Sequence, residues 1–215
     1  MRTEWIPLSA AALVTGAMAL VLGALLNPLA GDPTPIEALQ IARREDARWM
    51  GMAIAYFAGS VALTLGMPTV LSLFALGARR LGIAGVAIFS IGIVGMAGFA
   101  MLLVFYRALL VHGALRGGAF EDVAADSGLT GFLYVWLGGF MLGLLLIAVG
   151  LVRVRRTPLW VPGLLVLFLL LMPFASRLGQ TGSAIQLLAL AGGFTGIATT
   201  ASSAQHRAEL LKRLA

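Results

Sequence analysis

The 215-residue chain has no cysteine, which excludes a disulfide framework, a thiolate nucleophile and a thiolate-held metal. Histidine is nearly as scarce: His112 and His206 are the two, and both fall outside the long apolar runs. A bis-histidine haem buried in a helix bundle is therefore excluded. No Walker phosphate loop and no HExxH pair occurs. Charge is thin at 11% of residues, and of the 15 basic residues only Lys212 is lysine. The most telling absence lies inside the apolar runs, which contain no Asp, Glu, Lys, Arg or His. An ionisable group at bilayer depth is costly and ordinarily marks an ion path, a proton relay or a catalytic centre. Its absence excludes proton coupling through a buried carboxylate.

What is present is apolar. Sixty per cent of the residues are hydrophobic, mean hydropathy is +0.98, and 27 glycines are spread through the apolar runs, a profile outside that of soluble domains. About 20 apolar residues make a helix that crosses a hydrocarbon core of about 30 Å. Six runs satisfy or approach this, at residues 7–30, 51–77, 81–106, 131–152, 158–176 and 183–203. The expected fold is all-α, a polytopic transmembrane bundle of six spans forming a single domain over residues 1–215. The first run is expected to stay as an uncleaved span. It exceeds the roughly 7 to 15 residues of a signal-peptide core, and a cut after Ala30 would place Pro28 at the −3 position.

Six spans divide the connecting segments between two sides. Arg2, Arg79, Arg80, Arg153, Arg155, Arg156, Arg207, Lys212 and Arg213 fall on one side, with Glu4 and Glu209. Arg43, Arg44, Arg48, Arg107, Arg116 and Arg177 fall on the other, with Asp32, Glu37, Glu45, Asp46, Glu121, Asp122 and Asp126. The split is 9 − 2 = +7 against 6 − 7 = −1, which adds to the formal net charge of +6. Short arginine-rich loops stay cytoplasmic, so both termini are expected inside a cell (plasma) membrane. Tryptophan rings favour headgroup depth, and Trp5 and Trp160 lie at expected inner ends, Trp49 and Trp136 at expected outer ends. The basic balance then reflects topology and anionic lipid, with no nucleic-acid partner implied.

Charge is most crowded in "PTPIEALQIARREDARWMG", residues 33–51. "TPIE" has the form of a helix start, with Thr34 as N-cap, Pro35 at the first helical position and Glu37 closing a capping box. At about 100° per residue, Glu37, Arg44 and Arg48 share one face, and Ile36, Leu39, Ala47 and Met50 another. A short external amphipathic helix is expected after the first span, with a bend near Gly51 and an i,i+3 pair between Glu45 and Arg48.

The third and fourth spans are joined by a second long outer segment, and the second and fourth spans both end in double arginine, "GARR" and "RVRR". This pattern hints at a duplicated two-helix unit. Gly139 and Gly143, Gly192 and Gly196, and Gly92, Gly95 and Gly98 are placed for close helix packing within the bundle, or across a homo-oligomer face. Pro68, Pro162 and Pro173 point to kinks.

Chemistry, if any, must stand at the outer rim. The candidate external polar cluster comprises Arg43, Arg44, Glu45, Asp46, Arg107, His112, Glu121 and Asp122. Arg107 stands about 39 Å along its helix from Leu81, at headgroup depth. The near balance of signs there leads to the expectation that Arg43, Arg44 or Arg107 meets Glu121 or Asp122 across the bundle mouth. No spacing matches a metal-ligand template, and neither a metal nor a cofactor is expected. The span interiors offer neutral polar groups only: Asn27, Tyr56, Ser60, Thr64, Thr69, Ser90, Gln186 and Thr195.

The six-span layout, the short basic turns and the stretch "LVRVRRTPLWVPGLLVLFLLLMPF", with its Arg-x-Pro lead into a fifth span, resemble a family of uncharacterised bacterial six-helix membrane proteins, a domain of unknown function. That resemblance implies a fold and no activity. Two functions are expected: a non-enzymatic accessory or partner-binding subunit acting on a membrane protein partner, and, as the alternative, a transporter or exporter of a small neutral or apolar solute. An enzyme with its site on the outer face stands third. A polar cavity reaching mid-depth around Asn27, Thr64 or Gln186 would favour transport over a structural role.

Overall fold

The computed structural model describes residues 5–28, 40–41, 44–75, 77–112, 126–175 and 179–214. Among them the regular elements are all helices: α1 Ile6–Leu26, α2 Asp46–Leu73, α3 Arg79–Val111, α4 Ser127–Val154, α5 Trp160–Ala175 and α6 Gly179–Leu214. Consecutive helices run antiparallel and pack on one another, and α6 returns to pack on α1, so the six close into a ring. Five helices are long and apolar enough to cross a membrane: α1 to α4, and residues Thr181–His206 of α6. The sixth, α5, is shorter. Its 16 residues rise about 24 Å, less than a bilayer core of about 30 Å. Outward faces are apolar, as a helix bundle in lipid requires: Ile54, Val94, Val135 and Leu170 are all more than 60% exposed. The chain is a membrane-embedded helical bundle.

Two ends result. One carries the arginine turns, Arg79, Arg80, Arg153, Arg155 and Arg156; the other, here the loop end, carries Asn27, Glu45, His112 and Asp126. Both double-arginine turns pass through a left-handed residue, Ala78 at φ 49° and Arg155 at φ 53°.

Small residues set how close the helices come. In α1 and α2, Gly16 faces Leu63, Gly23 faces Tyr56 and Gly59 faces Leu20; in α3 and α4, Gly85 faces Ile147, Gly92 faces Phe140 and Gly143 faces Phe89. Adding 69 to the α1 positions (85 − 16) and 84 to the α2 positions (143 − 59) converts the first set of contacts into the second. The two hairpins thus share one packing register, a counterpart in space to the repeated arginine turns. Gly192, Gly193 and Gly196 receive Leu164, Leu165 and Val161 in the α5–α6 pair. Gly98 was expected at a contact but meets nothing within 4 Å.

Pro68 lies inside α2 and interrupts its hydrogen-bond ladder at a place repaired from α1. The Ser9 hydroxyl donates to Leu65 O at 2.9 Å and accepts from Thr69 N–H at 3.1 Å, standing in the gap of one helical hydrogen bond. Pro162, expected at a kink, sits instead in the first turn of α5, where its missing N–H costs no bond. Asp126 caps α4, accepting from Leu129 N–H at 2.7 Å.

Before α2, Gln40, Ile41 and Arg44 are helical, while Thr34, Pro35 and Glu37, the expected external helix start, lie outside the described residues. The break comes at Glu45 (φ −114°, ψ 37°) and not near Gly51, because α2 continues through Gly51 with Leu26 packed against it.

Candidate functional site

At the loop end, two ion pairs order the start of α2. Arg48 pairs with Glu45 one turn back, as the i,i+3 spacing leads one to expect. Arg107, near the end of α3, holds Asp46 with both arms of its guanidinium: Nε donates to Oδ1, and Nη2 to Oδ2 at 2.6 Å. These groups lie beyond the apolar runs 51–77 and 81–106. The hydrogen bond from Arg107 holds the Asp46 carboxyl below its usual value, and the same bond raises Arg107. One turn inward, Trp49 is buried and its Nε1–H donates to Leu103 O at 2.9 Å. The α2–α3 seam is therefore tied twice at this end.

The structure thus brings Arg107 to Asp46. Arg44 and His112 are exposed, His112 as the C-cap of α3, and Arg43, Glu121 and Asp122 lie outside the described residues. Among the described residues no three His, Asp or Glu side chains come together as metal ligands would. Among the described residues the rim shows local pairing, Arg48 with Glu45 and Arg107 with Asp46.

Inside the ring, the loop-end half holds a cavity of about 220 Å³ to which all six helices contribute. Leu20, Ala24, Met96, Phe99, Leu137, Met172 and Leu187 form apolar walls, and Phe140 and Phe168 the floor. The floor is an aromatic stack: Phe140 lies 4.7 Å from Phe89 and 6.0 Å from Phe168 between centroids, and Phe194 lies 5.8 Å from Phe89. Beneath it Leu63, Ile93, Leu144, Ile147 and Ile197 are almost fully buried, so the cavity is blind. Its volume exceeds the roughly 150 Å³ of a dry apolar cavity known to take up benzene.

Five polar side chains reach this cavity: Asn27, Tyr56, Trp136, Ser183 and Gln186. Gln186 is buried and its amide donates to Phe168 O at 3.2 Å, which leaves its carbonyl oxygen as an acceptor. Ser183 donates to Gly179 O at 3.3 Å. Trp136 Nε1–H is enclosed and has no acceptor among the described residues. None of the lining side chains is charged. Of the neutral polar residues legible in the runs, Asn27, Tyr56 and Gln186 converge here. Ser60, Thr64, Ser90 and Thr195 instead donate to carbonyls four residues back in their own helices, at 2.8 to 2.9 Å.

Two tryptophans correct the sequence reading. Trp5 and Trp160 are exposed at helix ends, as an interfacial belt requires, but Trp49 is packed and Trp136 stands nine residues into α4 at the cavity wall. The Trp49 N–H is satisfied by a carbonyl and needs no headgroup, and the Trp136 N–H is enclosed within the bundle. Trp136, Ser183, Met96 and Met172 were not legible as site residues, because their meeting depends on the closure of the ring. Comparison with protein-family models, with curated proteins and with solved structures gives no match.

Proposed function

We propose that this protein binds a small, neutral, largely apolar solute inside the bundle and carries it between bilayer and outer face, as a multi-pass carrier in the plasma membrane. The observation that supports this over an accessory or partner-binding subunit is the cavity of about 220 Å³ lined by residues of all six helices. A bundle serving only as a scaffold has no use for a void there, since missing contacts destabilise a core. The lining sets the solute's character. With no charge to pair, an ion would pay its full desolvation cost, whereas an apolar body with one or two polar atoms matches Met, Phe and Leu walls and a few amide and hydroxyl groups. The +7/−1 charge split supports cytoplasmic termini, with the loop end and the cavity facing outward.

The test is thermal unfolding of the purified protein in lipid nanodiscs with benzene, toluene, indole, benzoate and benzylamine. The neutral members are expected to raise Tm in proportion to how well they fill the cavity, and the charged members to leave it unchanged. Ala24→Phe, which fills the cavity, should remove the response. If no neutral member shifts the wild-type Tm, or Ala24→Phe responds as the wild type does, the reading is wrong.

A further inference from the structure

Two voids meet at one side chain. Trp136 lines the central cavity, and it also lines a groove of about 350 Å³ on the outside of the bundle between α3 and α4, walled by Ser90, Val94, Gly95, Phe132 and Val135 among others. That groove faces lipid: Val94 is 67% exposed and Val135 66%. It is almost wholly apolar, the Ser90 hydroxyl being spent on Val86 O at 2.8 Å. At Gly95 the two helices come so close that a Cβ there would overlap Trp136 Cβ and Cγ. The Trp136 side chain is thus shared between the lipid-facing groove and the cavity, with its ring against Phe99 at 5.9 Å on the cavity side. The indole N–H is enclosed without an acceptor among the described residues, whereas a buried indole N–H ordinarily has one.

Resting on the reading of the cavity as a solute site, we propose that Trp136 is both the door and the reader of that site: its ligand is a small neutral carbonyl compound dissolved in the membrane, which crosses from lipid through the α3–α4 groove and takes the Trp136 N–H on its carbonyl oxygen. The apolar groove selects for a molecule that partitions into lipid. The orphaned donor selects among such molecules for one carrying an acceptor, since a buried polar site discriminates against the analogue that leaves it unpaired. At the loop end the α2–α3 seam is held together by the Arg107–Asp46 pair and the Trp49–Leu103 bond.

The probe is acetophenone, an aryl ketone that inserts into nearby C–H bonds under near-ultraviolet light, with its adducts located by mass spectrometry on the protein in phosphatidylcholine nanodiscs. Met96 and Met172 report the cavity; Met18 and Met101, both exposed on lipid-facing surfaces, report that the probe reached the protein. A second probe carries the same aryl ketone at the end of a phosphatidylcholine acyl chain, so that it cannot leave the bilayer. Both probes are expected to label Met96. Trp136→Phe, which keeps the ring and removes the donor, is expected to lower cavity adducts relative to Met101 adducts by about fivefold at sub-saturating ketone, the factor for one neutral hydrogen bond. Independently of any variant, α-methylstyrene, the hydrocarbon of the same shape without the acceptor, should compete with deuterated acetophenone in the wild type about fivefold less well than unlabelled acetophenone does. Equal competition, or unchanged cavity labelling in Trp136→Phe, overturns the reader role. Labelling of Met96 by free ketone but not by the tethered one overturns the lateral route. If Met101 is labelled and Met96 is labelled by neither probe, the solute-site reading itself falls.

Discussion

Gly16→Ala should destabilise the bundle, although alanine is the better helix former. A Cβ at Gly16 would lie 2.7 Å from Leu63 N, 2.9 Å from Leu63 Cγ and 3.0 Å from Gly59 O, against an ordinary contact of 3.4 to 4 Å. Two of the three atoms are backbone and cannot turn aside, so α1 and α2 must part by about 0.7 Å or more (3.4 − 2.7). Leu13, Leu20 and Leu63, almost fully buried at this seam, would lose packing over the same distance. A gap of roughly 0.5 to 1 Å forfeits a quarter to a half of each contact's attraction. Overpacking typically costs about 1 to 3 kcal/mol, from which the roughly 0.5 to 1 kcal/mol gained by replacing a helical glycine is subtracted. Gly98→Ala is the control: the same chemical change inside α3, where an added Cβ meets nothing within 4 Å, so only the gain remains. The gain is common to both variants and cancels in the comparison, so Gly16→Ala should be less stable than Gly98→Ala by about 1 to 3 kcal/mol. Unfolding in mixed micelles by titration with a denaturing detergent, followed by far-ultraviolet circular dichroism, measures the difference. Equal stability of the two variants would refute the claim that glycine sets the hairpin spacing.

Ser9→Ala removes the hydroxyl that bridges Leu65 O and Thr69 N–H beside Pro68, taking from the buried Thr69 N–H this acceptor, and should cost about 1 to 3 kcal/mol in the same assay; no loss would mean that α2 closes its own ladder there. Asp46→Asn should lower Tm slightly at low salt and not at 1 M salt, because the pair with Arg107 is partly exposed and screened. The sign with pH follows from the lowered Asp46 value. Any stability the pair supplies is present above the ordinary value of 3.8 and is lost as pH falls through the lower folded value, so Tm differences between wild type and Asp46→Asn should stay constant from neutral pH down to about 5 and close only in strong acid. Reporter fusions at Arg2 and Ala215 should be active only in the cytoplasm; activity outside would reverse the orientation drawn from the arginine turns.

The helices and their order were legible in the order of the residues alone. Apolar runs of span length, broken by arginine turns and two polar segments, leave little freedom, because in lipid every backbone N–H and C=O must be satisfied within its own helix. The observed α1 to α6 follow the six runs, and the interruption at Pro68 was legible because proline lacks an N–H. The Glu45–Arg48 pair followed from spacing alone. Partners across helices did not. That Arg107 would take Asp46, 61 positions away, or that Ser9 would mend the break at Pro68, depends on rotation and depth of one helix against another, which glycine contacts fix by a few tenths of an ångström. The same holds for the cavity. Asn27, Tyr56 and Gln186 were visible as uncommon polar residues in apolar runs, but Ser60, Thr64 and Thr195 looked equivalent, and only packing turned the first three inward and let the others satisfy their own helices. Trp136 is the clearest case. Position near a span end marked it as an interfacial anchor, and the close approach of α3 at Gly95 made it a wall between lipid and cavity, a role that belongs to the helix pair and to neither helix alone.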